Sequence, residues 1–171
     1  GSFFSTGQRC TASSRLIVTE GIHDAFVDRL CTAMKDLRIG DARAADTQIG
    51  PVASEAQLAI DKRYVSQAVD DGATLAAGGG EVESKTPGHY FAPALFTDVS
   101  PQAAVARDEI FGPIAAVLRV PDYDAALATA NDCEFGLSAG IVSRDAAKID
   151  HFSQNAEAGM IQVNLPTAGM D

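Results

Sequence analysis

The sequence predicts an α/β domain built on a largely parallel, twisted sheet with helices on both faces. Three observations carry that expectation. Short β-rich apolar runs alternate along the chain with segments of helical period. The connections between them are short and punctuated by Gly, Pro, Asp and Asn. The length, 171 residues with 46% apolar and 21% charged side chains, suits one domain with its own core and argues against disorder.

Each element follows from a local pattern. Residues 15–19 (RLIVT) read as a buried strand. Residues 21–38 read as a helix: Ile22, Phe26, Leu30 and Met34 recur every four positions, with Val27 and Leu37 beside that stripe. Residues 40–51, rich in Asp, Gly and Thr, read as a loop. Ser54-Glu55-Ala56-Gln57 has the form of a capping box, with a helix following to about Gly72. Thr74 to Ala77 reads as a strand closed by Gly78-Gly79-Gly80. No helix and no GxGxxG pattern follows that triple glycine, so it reads as a turn and not as a phosphate cradle. Residues 91–99 and 114–120 read as strands, and 122–131 as a helix capped by Asp122 after Pro121. A strand at 138–143, a helix at 145–156 and a strand at 160–163 complete the series. In sheets of this kind, sites gather at the carboxyl ends of strands.

Charge and cysteine usage narrow the function classes. Acidic residues outnumber basic ones 23 to 13, a net charge of −10 that repels nucleic acid and anionic membranes. No apolar run approaches the length of a membrane span. The opening Gly1-Ser2-Phe3-Phe4-Ser5 has no basic segment ahead of an apolar one, so no secretory signal is read there. With three cysteines, an odd count, the expectation is a cytoplasmic protein without a disulfide framework. No cysteine pair has zinc spacing and the three histidines are scattered, so no metal site is expected.

Of the cysteines, Cys31 lies among core residues of a helix, and Cys133 has no evident base near it in sequence. Cys10 differs. Small and polar residues surround it, and Arg9 is adjacent; cationic neighbours favour the thiolate form that acts as nucleophile.

The wider pattern is more specific. The segment Phe3-Phe4-Ser5-Thr6-Gly7-Gln8-Arg9-Cys10-Thr11-Ala12-Ser13-Ser14 resembles the active-site cysteine signature of aldehyde dehydrogenases. Glu109-Ile110-Phe111-Gly112-Pro113 resembles that family's second hallmark, at about its usual distance downstream. Asn131 with Phe135-Gly136-Leu137, and Gly159 followed by Asn164, resemble two further blocks in the right order. The resemblance implies the catalytic-domain type of α/β fold and covers almost the whole chain. It makes Cys10 the nucleophile, Glu109 the acceptor of nicotinamide ribose hydroxyls, and Phe111 the ring packed beside the nicotinamide. Arg9, Thr11, Asn164, Pro166, Thr167 and the loop from Leu165 to Gly169 become candidates for the aldehyde pocket. For Asn164 two roles stand open: ordering the loop near the thiol, or capping a strand end.

The implied cofactor is NAD or NADP, and the implied partner a small-molecule aldehyde, with the parent enzyme expected to be a homo-oligomer. The long cysteine segment and Asn164-Leu165-Pro166-Thr167 are most similar to the branch that oxidises α-ketoglutarate semialdehyde. The family's Glu-Leu-Gly-Gly general-base block and its Rossmann-type cofactor domain precede the cysteine and have no counterpart in these residues. The expectation is therefore a single catalytic domain, 1–171, inactive by itself. Two rivals remain: a thiol hydrolase or acyltransferase pairing Cys10 with His23, His89 or His151, and a non-catalytic module on the same fold.

Overall fold

A computed structural model describes residues 1–167. Its centre is a four-stranded sheet in the order β1-β4-β3-β2. The strands are β1 (Arg15–Thr19), β2 (Thr74–Ala77), β3 (Ala94–Thr97) and β4 (Ile114–Val120). β1, β4 and β3 run parallel; β2 joins the edge antiparallel, with an irregularity between Leu75 and Ala77.

Alternation along the strands decides which helix covers which face. Ala94 and Phe96 of β3, with Ile114, Ala116 and Leu118 of β4, turn to one side. There they meet Ile60, Tyr64, Val65 and Ala68 of α2 (Glu55–Asp70) and Val105 and Ala106 of the short α3 (Ala104–Arg107). Leu95, Ala115 and Val117 turn to the other side, against Phe26, Val27, Leu30 and Met34 of α1 (His23–Lys35). Both faces are thus covered by helices.

The remaining elements form a second, smaller layer. β5 (Ser138–Ile141) and β6 (Met160–Val163) pair in parallel as a separate two-stranded sheet. The largely parallel strands expected from sequence thus fall into a four-stranded and a two-stranded sheet. Two strands alone are marginal in water, and this pair is tied down through its helices. α4 (Tyr123–Asn131) packs on β1, and α5 (Ala146–Asn155) packs on α4. The Arg15 guanidinium donates to Thr129 O at 2.8 Å, holding the carboxyl end of α4 to the main sheet. Asn131 donates to Asn155 O at 2.9 Å and accepts from Glu157 N at 3.0 Å, joining α4 to the end of α5.

Several element limits shift, among them the end of the first helix, which stops at Lys35 and not at 38, and that of β5, which stops at Ile141 and not at 143. The first helix begins at His23 and not at 21, after a 3-10 turn at Glu20–Ile22, so Ile22 leaves the apolar stripe and stands 59% exposed. The strand expected at 91–99 shortens to β3, because Pro93 has no N–H to give to a ladder. The 3-10 turn at Phe4–Gly7 and α3 were not anticipated. Asp122 and Asp145 cap α4 and α5, accepting from Ala125 N at 2.9 Å and Ala147 N at 3.0 Å. Among the described residues no helix is long and apolar enough to cross a membrane.

Candidate active site

The two layers leave between them an open groove of about 1150 Å³. Cys10, Glu109, Phe111 and Asn164 all line it, as do Arg9, Pro166 and Thr167. Its rim carries apolar side chains left in the open, including Phe111, Phe135, Leu137 and Leu165. Exposed apolar groups gathered in one place mark a surface that meets something.

The cysteine segment and the 109–113 loop reach the groove back to back. Gly7 has φ +65°, and a Cβ there would lie 2.1 Å from the carbonyl oxygen of Gly112. Only a residue without a side chain permits that approach. The turn before Cys10 is further fixed by Gln8. Its Oε1 accepts from the Thr6 hydroxyl at 2.8 Å and from Ala53 N at 3.0 Å, just ahead of α2. Cys10 itself is exposed, as is Arg9, whose Nε donates to Ser5 Oγ at 3.0 Å.

On the facing loop, Glu109 is exposed and Ile110 is buried. Phe111 is 40% exposed and holds φ +59°, a conformation that bulky side chains rarely adopt. It is therefore not a core aromatic. The loop rests on α2. Gln57 Nε2 donates to Ile110 O at 3.2 Å and to Asp61 Oδ1 at 2.8 Å. Asp61 is wholly buried, and a Cβ on Gly112 would lie 1.9 Å from its Oδ1. Burial pushes its carboxyl up to about 6, against the opposing effect of the Gln57 hydrogen bond. Ser54 caps α2 as expected, accepting from Gln57 N at 3.2 Å. The Gln57 amide nitrogen, however, serves the loop beyond the helix.

The third wall is the segment after β6. The Asn164 amide clamps Ser143, accepting from its N–H at 2.9 Å and donating to its carbonyl at 3.0 Å. Of the two roles left open for Asn164, the geometry favours the strand-end cap. Thr167 ties this segment to the cysteine segment: its hydroxyl donates to Thr11 O at 2.8 Å and lies 2.5 Å from Ser13 Oγ. Thr11 is half-buried and Pro166 exposed. Ala168 and Gly169, the end of the loop proposed for the aldehyde pocket, lie outside the described residues.

The alternatives fare less well. Cys31 packs with the α1 core, and the Cys133 thiol donates to Phe135 O at 3.0 Å. Among the described residues, none of the three histidines lines the groove: His23 is buried and bonded to Asp24, and His151 is bonded to Tyr123. Sequence reasoning missed Asp61 and the Gly7–Gly112 contact. A signal for the first existed, because Asp61 shares the buried face of α2 with Leu58 and Ala68.

Comparisons with known proteins identify the family. The profile of the aldehyde dehydrogenase family matches residues 1–171. An α-ketoglutarate semialdehyde dehydrogenase of Haloferax volcanii is 43% identical over all of this chain and 36% of its own length. A betaine aldehyde dehydrogenase of Brucella anthropi is 39% identical over 96% of the chain and 34% of its own length. The chain thus spans about a third of the curated relatives it matches. An NAD-dependent aldehyde dehydrogenase of Sinorhizobium meliloti superposes with a TM-score of 0.94 at 36% identity, over 99% of this chain and 34% of that one. Cysteine segment, 109–113 loop, sheet order and whole-length similarity lead to one assignment: the chain belongs to the aldehyde dehydrogenase family.

Proposed function

We propose that this chain is the thiol-bearing catalytic part of an NAD(P)-dependent aldehyde dehydrogenase, with Cys10 as the nucleophile. The observation that supports it is a single one: an exposed cysteine and the Glu109/Phe111 loop line the same groove, locked together where Gly7 meets Gly112. The Cys10 sulfur adds to the aldehyde carbon and gives a thiohemiacetal, from which a hydride departs more readily than from the planar carbonyl. Once the hydride has gone, a thioester remains on Cys10, and water releases the carboxylate.

The donor set fits the nicotinamide end of NAD(P). A carboxylate open to the groove offers Glu109 oxygens to the ribose hydroxyls, and the exposed Phe111 ring offers a flat apolar face. When bound, the cofactor supplies the hydride acceptor. Arg9, Pro166 and Thr167 line the aldehyde side of the groove. Thr11 does not line it and joins them only through its carbonyl, which accepts from the Thr167 hydroxyl. Asn164 holds the strand ends on which Pro166 and Thr167 are carried. The favoured substrate is α-ketoglutarate semialdehyde, supported by the long cysteine segment, the Asn164-Leu165-Pro166-Thr167 sequence and the 43% identical relative. The general base and the bulk of the cofactor site come from outside these residues, so the 171 residues alone do not turn over.

A chimaera tests this. The Haloferax volcanii relative, with its matching segment replaced by this chain, is expected to oxidise α-ketoglutarate semialdehyde with NAD or NADP. Cys10→Ala is expected to lower kcat at least about 1000-fold. Full activity in Cys10→Ala, or sustained NADH production by the 171 residues alone, refutes the proposal. A hydrolase would instead lose esterase activity on replacement of one histidine.

A further inference from the structure

We propose that Asp61, which lies outside the groove, is a positioning residue for its cofactor side: tied to Gln57 and packed on Gly112, its buried carboxyl fixes the loop that carries Glu109 and Phe111. This rests on the dehydrogenase reading for its functional meaning, but its structural content stands apart from it.

Four observations carry the inference. Asp61 is fully buried on the face of α2 that supports the loop. Its Oδ1 is held by Gln57 Nε2 at 2.8 Å, and the same nitrogen reaches Ile110 O at 3.2 Å. One amide therefore joins the acid to the peptide group immediately ahead of Phe111. Asp61 Oδ2 is buried without a hydrogen-bond partner. Finally, Gly112 lies so close that any side chain there would collide with the carboxyl. A loop whose Phe111 occupies a left-handed conformation needs such a fixed support, because that conformation persists only where its surroundings impose it.

The charge state of Asp61 follows from its surroundings. No counter-ion reaches it: Lys62 and Arg63 on its own helix, Arg9 beside the 3-10 turn, and Asp108 and Glu109 on the loop are exposed or half-exposed and add no charge effect to its titration. A buried carboxyl without a cation keeps its proton to higher pH than an exposed one, here up to about 6. Losing the proton places an unpaired charge against the Gly112 backbone, and the loop must give way to let water reach it. The support is thus strongest in mild acid and weakens as the carboxyl ionises.

NMR of the intact 171-residue chain tests this without cofactor. Aspartate carboxyl carbons and backbone and side-chain amides are followed from pH 4 to 8. The Asp61 carboxyl, the Gln57 side-chain amide, and the Phe111 and Gly112 amides are expected to titrate together with one midpoint near 6. In Asp61→Asn those amides are expected to stay near their acid-limb positions throughout. An Asp61 that titrates in the ordinary carboxylate range overturns the proposal. So does a titration that leaves Phe111 and Gly112 unmoved. The wild-type curve decides even where the variant does not fold. Because no NAD is present, these outcomes are separate from those of the chimaera assay, which judge the dehydrogenase reading.

Discussion

Strand β4 is buried at every position except Arg119, whereas the loops over the groove leave Phe111, Phe135 and Leu165 between 40% and 64% exposed. The backbone divides the same way. β4 pairs regularly on both sides, with Ile17 against Leu118 and Leu95 against Ala115. The groove loops instead hold Ser5, Thr6, Phe111 and Asn164 at φ near +55°. Among the described residues the one other non-glycine at positive φ is Asp98. The contrast separates two uses of free energy. The sheet is arranged for burial, and the loops for presenting groups, in conformations that a rigid neighbour must impose.

The sharpest way to break that division is to truncate an aromatic on each side of it. Phe96 is fully buried between β3, β4 and α2. Phe96→Ala is expected to cost about 3–5 kcal/mol, from lost transfer energy and the cavity left behind. Phe135→Ala, at a side chain 52% exposed, is expected to cost under about 1 kcal/mol. Urea unfolding of both variants measures the gap. Equal losses would mean that the groove is part of the core and the two regions are one.

The sheet was legible in sequence because burial writes itself as periodicity. RLIVT at 15–19 and the stripe Phe26, Leu30 and Met34 landed on β1 and α1 where expected. The cap residues Ser54 and Asp122 also behave as read, since capping is a contact within one turn. The division into two sheets was not legible, because which strands pair depends on contacts across the whole chain. The ends of the first helix and of β3 were misjudged by a few residues where Ile22 and Pro93 interrupt a pattern. At the site, the motif residues were legible and their supports were not. Gln57 looked like half of a capping box, yet its amide nitrogen reaches Ile110 O, more than fifty positions away. A long-range hydrogen bond of that kind leaves no periodic trace.

The Asp61 support gives the second-largest expected effect, and its sign is fixed by linkage. The carboxyl is raised from an ordinary 3.8 to about 6 by burial. Between those values the folded chain keeps a proton that the unfolded chain has lost. Stability from this group is therefore complete below about pH 4, declines as pH rises to about 6, and is flat above. The span of about two pKa units corresponds to a decline of up to roughly 3 kcal/mol. Asp24 is shifted downward by its hydrogen bond to His23 and then by Arg119, and Asp41 by Arg43, so they act in the opposite sense, destabilising the fold on acidification. They are common to wild type and Asp61→Asn and cancel in the difference between them. The stability gap between Asp61→Asn and wild type is thus expected to move in favour of the variant as pH rises from 4 to 7. A gap that stays constant with pH, measured by urea unfolding, would detach Asp61 from any titration in this range.

The smallest effect concerns Phe111 and sharpens the contrast at the level of the backbone. In most positions alanine is more stable than glycine, because glycine loses more freedom on folding. At φ +59° that order should invert, since a Cβ is strained there and glycine is not. Phe111→Gly is expected to be about 1 kcal/mol more stable than Phe111→Ala. At Ala116, in the extended and buried centre of β4, glycine is expected to be less stable than alanine by about 1 kcal/mol. Both substitutions at 111 remove the ring, so they are equal with respect to any cofactor it touches and differ only in strain. Thermal or urea melts of the two pairs read the inversion directly. If alanine proves the more stable at both positions, the left-handed Phe111 is not imposed on the loop, and the case for a rigid support beneath it falls with it.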